Sequence, residues 1–244
     1  MSAAVEPLAL IVTVALLATV QSVFGVGLLV FGTPILLLMG VPFPQVLAYL
    51  LPCSIVISVL QVSASGGLTL EPIRRQFLLC AAPAVVSATT VALFLGSPEA
   101  IGIAVGLMLL ATALLRLVAP NGRLVSRFVT RYRSVLFLGL GVVHGLSNVG
   151  GGILTAIMAS SMEEKVSIRR HIAFCYGVMA ALQFAVVLIK RPEVNVAMWA
   201  GLPVIAAVVY LVVGQWLFVK TGRGTYQNAL TLLLAAFGTL LVTR

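Results

Sequence analysis

Gly25-Val26-Gly27, closely followed by Gly32-Thr33-Pro34, interrupts one apolar run, and Asn148-Val149-Gly150-Gly151-Gly152 interrupts another. The runs cover 8–40 and 134–161, each longer than the roughly 20 residues of a straight membrane span. Glycine weakens a helix and bares backbone that hydrocarbon cannot hydrogen-bond, so such breaks persist only where protein or water covers them. Both runs therefore read as two half-helices joined by a glycine elbow. An offset of 123 lays Gly25-x-Gly27 on Asn148-x-Gly150, Gln21 on His144 and Phe24 on Ser147. The chain reads as duplicated.

Around the breaks lie further apolar runs at 44–63, 75–95, 100–118, 171–189, 196–218 and 226–243. Turn formers separate them: Pro42 and Pro44, Gly66-Gly67, Gly96-Ser97-Pro98, Asn121-Gly122, Arg191-Pro192 and Gly222-Arg223-Gly224. The long polar stretch 119–133, with Arg123, Arg127, Arg131 and Arg133, divides the chain near its middle. The expected organisation is a first membrane repeat at 1–118, a basic cytoplasmic linker at 119–133 and a second repeat at 134–244. The fold class is an all-α polytopic membrane protein of two four-element repeats, each a broken or hairpin helix plus three transmembrane helices. Broken helices at matching positions of two repeats point to a transporter binding site.

Composition agrees. Hydrophobic residues make up 61% of 244 positions and charged residues 9%, against about a quarter charged in a soluble domain. The only acids are six Glu, too few to keep an exterior wet. The net charge of +9 does not read as a nucleic-acid surface, because the basic residues sit in gaps between apolar runs. That is the distribution of the positive-inside rule. If each broken run is a hairpin, the repeats are inverted and twelve Lys and Arg fall on one side against three on the other. If each crosses once, the repeats are parallel and the split is ten to five. The inverted arrangement obeys the rule better, with the linker in the cytoplasm and both termini outside.

Cys53, Cys80 and Cys175 each lie inside an apolar run with no CxxC pair, so neither a disulfide framework nor a zinc site is expected. Residues 1–7 hold no Lys or Arg, unlike a secretory signal. There is no nucleotide-binding loop, and no cofactor is expected. No Asp and no HExxH exist to build an intramembrane protease, so the chain does not read as an enzyme. Trp199 and Trp216, near opposite ends of one run, read as interface anchors.

These features resemble the sulfite exporter TauE/SafE family. Gly25-Val26-Gly27 with Pro34, then Pro42-Phe43-Pro44, is similar to the first half-motif of that family. Asn148-Val149-Gly150-Gly151-Gly152 is similar to the second, opening on Asn instead of Gly. Leu28 and Leu29 stand where the family has further glycines, which leaves the exact substrate open. The resemblance implies a multi-pass protein of the bacterial inner membrane that exports, or in some members takes up, sulfite, sulfonates or related anions. A homodimer is left open.

All fifteen Lys and Arg lie near the ends of apolar runs, so attraction for an anion is expected from helix N-termini. A break leaves about four unpaired N–H groups and about half a positive charge at the start of the next helix. Two such starts meeting at mid-depth would cradle an oxyanion. Candidate ligands are the backbone at Gly25, Gly27, Gly150 and Gly151 and the side chains of Gln21, Ser22, Ser54, His144, Ser147 and Asn148. Cys53, Tyr176 and Gln183 could face them but read as packing. The bland alternatives are a helix-gluing hydrogen bond for Gln21, a cap for Asn148 and bonds to their own helices for the serines. His144 is either a proton-coupling group or a neutral imidazole bonded between helices. His171 reads as interfacial, and Glu163-Glu164-Lys165 with Arg169-Arg170 as a solvated loop.

Overall fold

A computed structural model describes residues 6–66, 72–95, 103, 105–111, 114, 122–162, 164–191 and 200–220, with single positions at 232, 236, 239 and 243. Among the described residues every regular element is helical. They are α1 (Pro7–Phe24), α2 (Leu28–Leu38), α3 (Phe43–Ala64), α4 (Pro72–Leu95), α5 (Gly122–Ser147), α6 (Gly151–Ser161), α7 (Lys165–Lys190) and α8 (Gly201–Lys220). Five of the described helices, α1, α3, α4, α7 and α8, are long and apolar enough to cross a membrane.

Both long runs break where the glycines stand, but the pieces are unequal. With 18 residues, α1 is about 27 Å long, close to the hydrocarbon thickness. Only α2 and α6, at 11 residues each, are half-helices. No Gly or Pro falls between Leu8 and Phe24, so nothing stops α1 before the glycines. After the break the chain turns back. A Cβ on Gly32 would lie 3.0 Å from Leu17 Cδ1 and 2.8 Å from Leu50 Cδ1. A straight continuation would put Gly32 about 22 Å from Leu17. Thus α2 folds against α1 as a hairpin arm, and α6 likewise packs on α5.

Contacts fix the directions of the long helices. Gln61 of α3 reaches Gln21 and Ser22 of α1, while Leu50 lies level with Leu17, so α1 and α3 run the same way. Against α3, α7 runs in reverse: Arg170 Nη1 donates to the Ser65 carbonyl at 3.2 Å, and Gly177 abuts Ser58. α4 and α5 run side by side, with Phe77 edge-on to Phe137 at 5.6 Å, Gly141 against Ala81 and Gly145 against Val85 and Ala88. Arg74 over the Phe174 ring, at 4.9 Å, and Arg191 donating to the Leu93 carbonyl align α4 with α7. Returning along α7, α8 carries a π-helical turn at Tyr210–Gly214. There Gly214 lies directly on Ser22 of α1.

The starts of α4 and α7 and the end of α8 consequently share one end of the bundle. Arg74, Arg75, Lys165, Arg169, Arg170 and Lys220 collect there, while Lys190 and Arg191 lie at the other. Residues 122–133 of the basic stretch are helical and form the first part of α5, with a kink at Tyr132. The expected turns at Gly96-Ser97-Pro98 and Gly222-Arg223-Gly224 lie outside the described residues, as do most of the runs 100–118 and 226–243. So do Arg116, Glu163, Trp199, Arg223 and Arg244.

Candidate functional site

The two breaks are built alike. α1 ends with the Gly25 N–H donating to the Gln21 carbonyl at 2.7 Å, Gly25 being left-handed at φ 76°. α5 ends with the Asn148 N–H donating to the His144 carbonyl at 2.7 Å, Asn148 being left-handed at φ 62°. Helical bonding resumes with Phe31 N–H to Gly27 O at 2.9 Å in α2 and Leu154 N–H to Gly150 O at 3.1 Å in α6. The N–H groups of 27–30 and 150–153 precede the first such bond in each arm. The arms start against each other: a Cβ on Gly151 would stand 2.7 Å from Val30 Cγ2 and 3.2 Å from Val26 Cβ.

Side chains from the long helices close around this meeting point. The Tyr176 ring of α7 lies 3.2 Å from the position a Gly151 Cβ would take and 5.7 Å, centroid to centroid, from His144. Its hydroxyl is fully buried and is aimed at the backbone of Gly27, Leu29 and Val30, without closing a hydrogen bond to any of them. On the second break, His144 Nδ1 accepts the Gly150 N–H at 3.2 Å. That bond requires an unprotonated Nδ1, hence a neutral ring carrying its hydrogen on Nε2. Gln183 faces the ring and donates to the His144 carbonyl at 3.1 Å. Asn148 Nδ2 donates to Thr33 Oγ1 of α2 at 2.8 Å, tying the second break to the first arm.

Not every expected residue converges. Gln21 is buried and turned into α3, donating to Ser54 Oγ at 3.1 Å and lying 3.4 Å from Ser58 Oγ. Ser54 faces it there. Ser22 and Ser147 bond back to the carbonyls of Ala18 and Val143, both at 2.6 Å, as membrane serines often do. Gly25 packs on Ile172 of α7. The residues at the meeting point are Gly27, His144, Asn148, Gly150 and Gly151. Two side chains there fell outside the expected set, Thr33 and Tyr176 as more than packing, as did Gln61 at the end of α1, which donates to the Gln21 and Ser22 carbonyls at 2.9 and 3.1 Å.

The basic residues need correction. Arg169 does not lie in a solvated loop; it belongs to α7 and is only 5% exposed. α8 covers it, since Nη1 donates to Gln215 Oε1 at 3.1 Å and the guanidinium stacks 3.5 Å from the Phe218 centroid. Nη1 also lies 3.4 Å from the Ser22 carbonyl, at the negative end of α1, so the helix dipole favours the cation. Arg74 is likewise buried, over Phe174. His171, near the start of α7, is buried in the bundle, its Nδ1 donating to the Ser167 carbonyl at 2.8 Å. Cys53 and Cys175 are free and buried, and no group of metal-ligating side chains exists among the described residues.

The sequence profile of the sulfite exporters matches residues 10–241, nearly the whole chain. The chain belongs to the sulfite exporter TauE/SafE family. No curated protein and no solved structure matches it. The family is one of membrane transporters, and this TauE/SafE member is a multi-pass membrane protein whose paired breaks lie inside the bundle.

Proposed function

We propose that this TauE/SafE protein is a secondary transporter that exports a small sulfur-containing oxyanion, sulfite or an organosulfonate, across the bacterial inner membrane. The anion sits where α2 and α6 begin. One observation carries the reading: two half-helices start against each other at Gly151, Val26 and Val30, with a buried Tyr176 hydroxyl, bonded to none of the described residues, aimed at the first turn of α2. Helix starts favour negative charge and present N–H donors, and three oxygens of a sulfite or sulfonate head can share several of them. Tyr176 adds a hydroxyl able to donate to the anion. Asn148 Nδ2, its amide donor, lies at the same place and is held by Thr33 Oγ1 at 2.8 Å.

Opposite helix directions in the two halves support inverted repeats. So does the collection of basic residues at one end, which is then cytoplasmic. Repeats of that kind alternate access around a fixed central site.

His144 fits a proton-coupling role. A second proton on its ring goes to Nδ1, the atom that accepts the Gly150 N–H. Protonation therefore releases the start of α6 and adds a positive charge beside the bound anion. Proteoliposomes measuring flux of sulfite, sulfoacetate and acetate test the substrate. Sulfite or sulfoacetate moving faster than acetate supports the reading, and acetate preference or no flux overturns it. The His144→Gln variant is expected to transport with a flattened pH dependence; an unchanged pH profile removes the coupling role.

A further inference from the structure

Along α7, Arg169, Tyr176 and Gln183 recur every seven residues and so share one face at steps of about 10 Å. Each is directed at a different broken end. Arg169 meets the carbonyl end of α1 at Ser22, Tyr176 the start of α2, and Gln183 the carbonyl end of α5 at His144. Arg169 is the charged member of this ladder. A Cβ on Gly25 would lie 3.6 Å from its Cγ, so it stands at the first break itself. Among the described residues its buried Nε donates to no acceptor, and its contacts are neutral: Ser22 O, Gln215 Oε1 and the Phe218 face. On the side toward the basic end of the bundle, exposed Lys165 places its Nζ 4.1 Å from the centroid of that same ring. Among the described residues only dipoles and a ring face balance this charge, and a full charge held so inside an apolar bundle is costly unless an anion visits it.

Building on the reading of the central site, we propose that Arg169, approached past Lys165, is an outer anion-binding station, from which the substrate oxyanion steps along α7 to Tyr176 and the α2 amides. Its charge sets the apparent affinity for the anion, while the Ser22 contact only seats it.

Gln215 offers a test that leaves Arg169 in place. Gln215→Glu keeps the shape and the acceptor oxygen at Nη1 but neutralises the guanidinium with a carboxylate. Sulfite flux in proteoliposomes, and protection of the purified protein by sulfite against thermal unfolding, are the readouts. The expected result is a KM for sulfite raised about tenfold, the effect of one nearby charge, with kcat held and the melting temperature not lowered. Arg169→Lys keeps the charge but loses the stack on Phe218, so its KM is expected to rise less than that of Gln215→Glu while its melting temperature falls. A Gln215→Glu protein with wild-type KM and protection shows Arg169 to be only a cap on α1 and overturns the proposal. Wild-type protein that neither moves sulfite nor is protected by it sinks the substrate reading, and this inference with it.

Discussion

The two breaks place the same turn at an offset of 123 residues but hold it by different means. At the first, conformation demands glycine: Gly25 is left-handed at φ 76°, and Gly27, at φ 149°, lies where side chains rarely go. At the second, Asn148 takes the left-handed position, a role its short polar side chain tolerates. There Gly150 has an ordinary φ of −63°. Space demands glycine instead, since a Cβ would meet His144 Cβ at 2.7 Å and Leu140 Cδ1 at 2.9 Å. The first break is held from outside, by Gln61 of α3 and Arg169 of α7 on its carbonyls. The second is held from outside by Gln183 of α7 on one carbonyl, and in addition by its own His144 and, through Asn148, by Thr33 of the opposite arm. The two breaks thus share a left-handed first residue, while the backbone two positions on and the residues enforcing the turn differ.

The comparison breaks most sharply at Gly27. Gly27→Ala combines backbone strain with a Cβ 2.6 Å from Val20 Cγ1, for an expected loss of about 3 kcal/mol or more. Thermal unfolding should show it, and transport should be lost. Gly151→Ala meets a side chain, Val30 Cγ2 at 2.7 Å, and should cost about 1–2 kcal/mol. Adding Val30→Ala should recover much of that loss, whereas no single partner substitution should rescue Gly27→Ala. Equal rescue at both would erase the distinction between strain and space.

Asn148 separates its two duties. Asn148→Gly loses only the Thr33 bond, about 1 kcal/mol. Asn148→Ala adds the left-handed penalty of about 1 kcal/mol more. Urea unfolding of the two variants should differ by that amount, and identical midpoints would mean the turn does not need its φ. Gln61→Leu removes donors from two carbonyls and Gln183→Leu from one. The first should therefore destabilise the more, by about 1 kcal/mol.

Much of this architecture could be read from residues: the apolar runs, both breaks, the offset and the basic end. What escaped had physical causes. Four residues, 39–42, join α2 to α3, but three, 162–164, join α6 to α7. Beyond each arm the matching offset is therefore 122, which pairs Gln61 with Gln183 and Ser54 with Tyr176. A fixed offset of 123 misses both pairs. Arg169 escaped because a charge near a helix end is normally hydrated; only the packing of Gln215 and Phe218 over it, 46 and 49 positions later, reveals the enclosure. The unequal lengths of α1 and α2 were hidden because hydropathy is the same on both sides of the break. His144 and Asn148 were legible as polar residues in an apolar run, but their partners, Gly150 and Thr33, depend on the arms folding back.

The seam between α4 and α5 has its own consequence. Gly141 and Gly145 bring those two helices backbone to backbone against Ala81, Ala84, Val85 and Ala88, leaving no slack for sliding. Such a seam behaves as a keel, and under the proposed alternating access the moving arms rock around it. A disulfide engineered between positions 84 and 141 should accordingly leave the cycle running, while a staple between positions 30 and 151 should stall it.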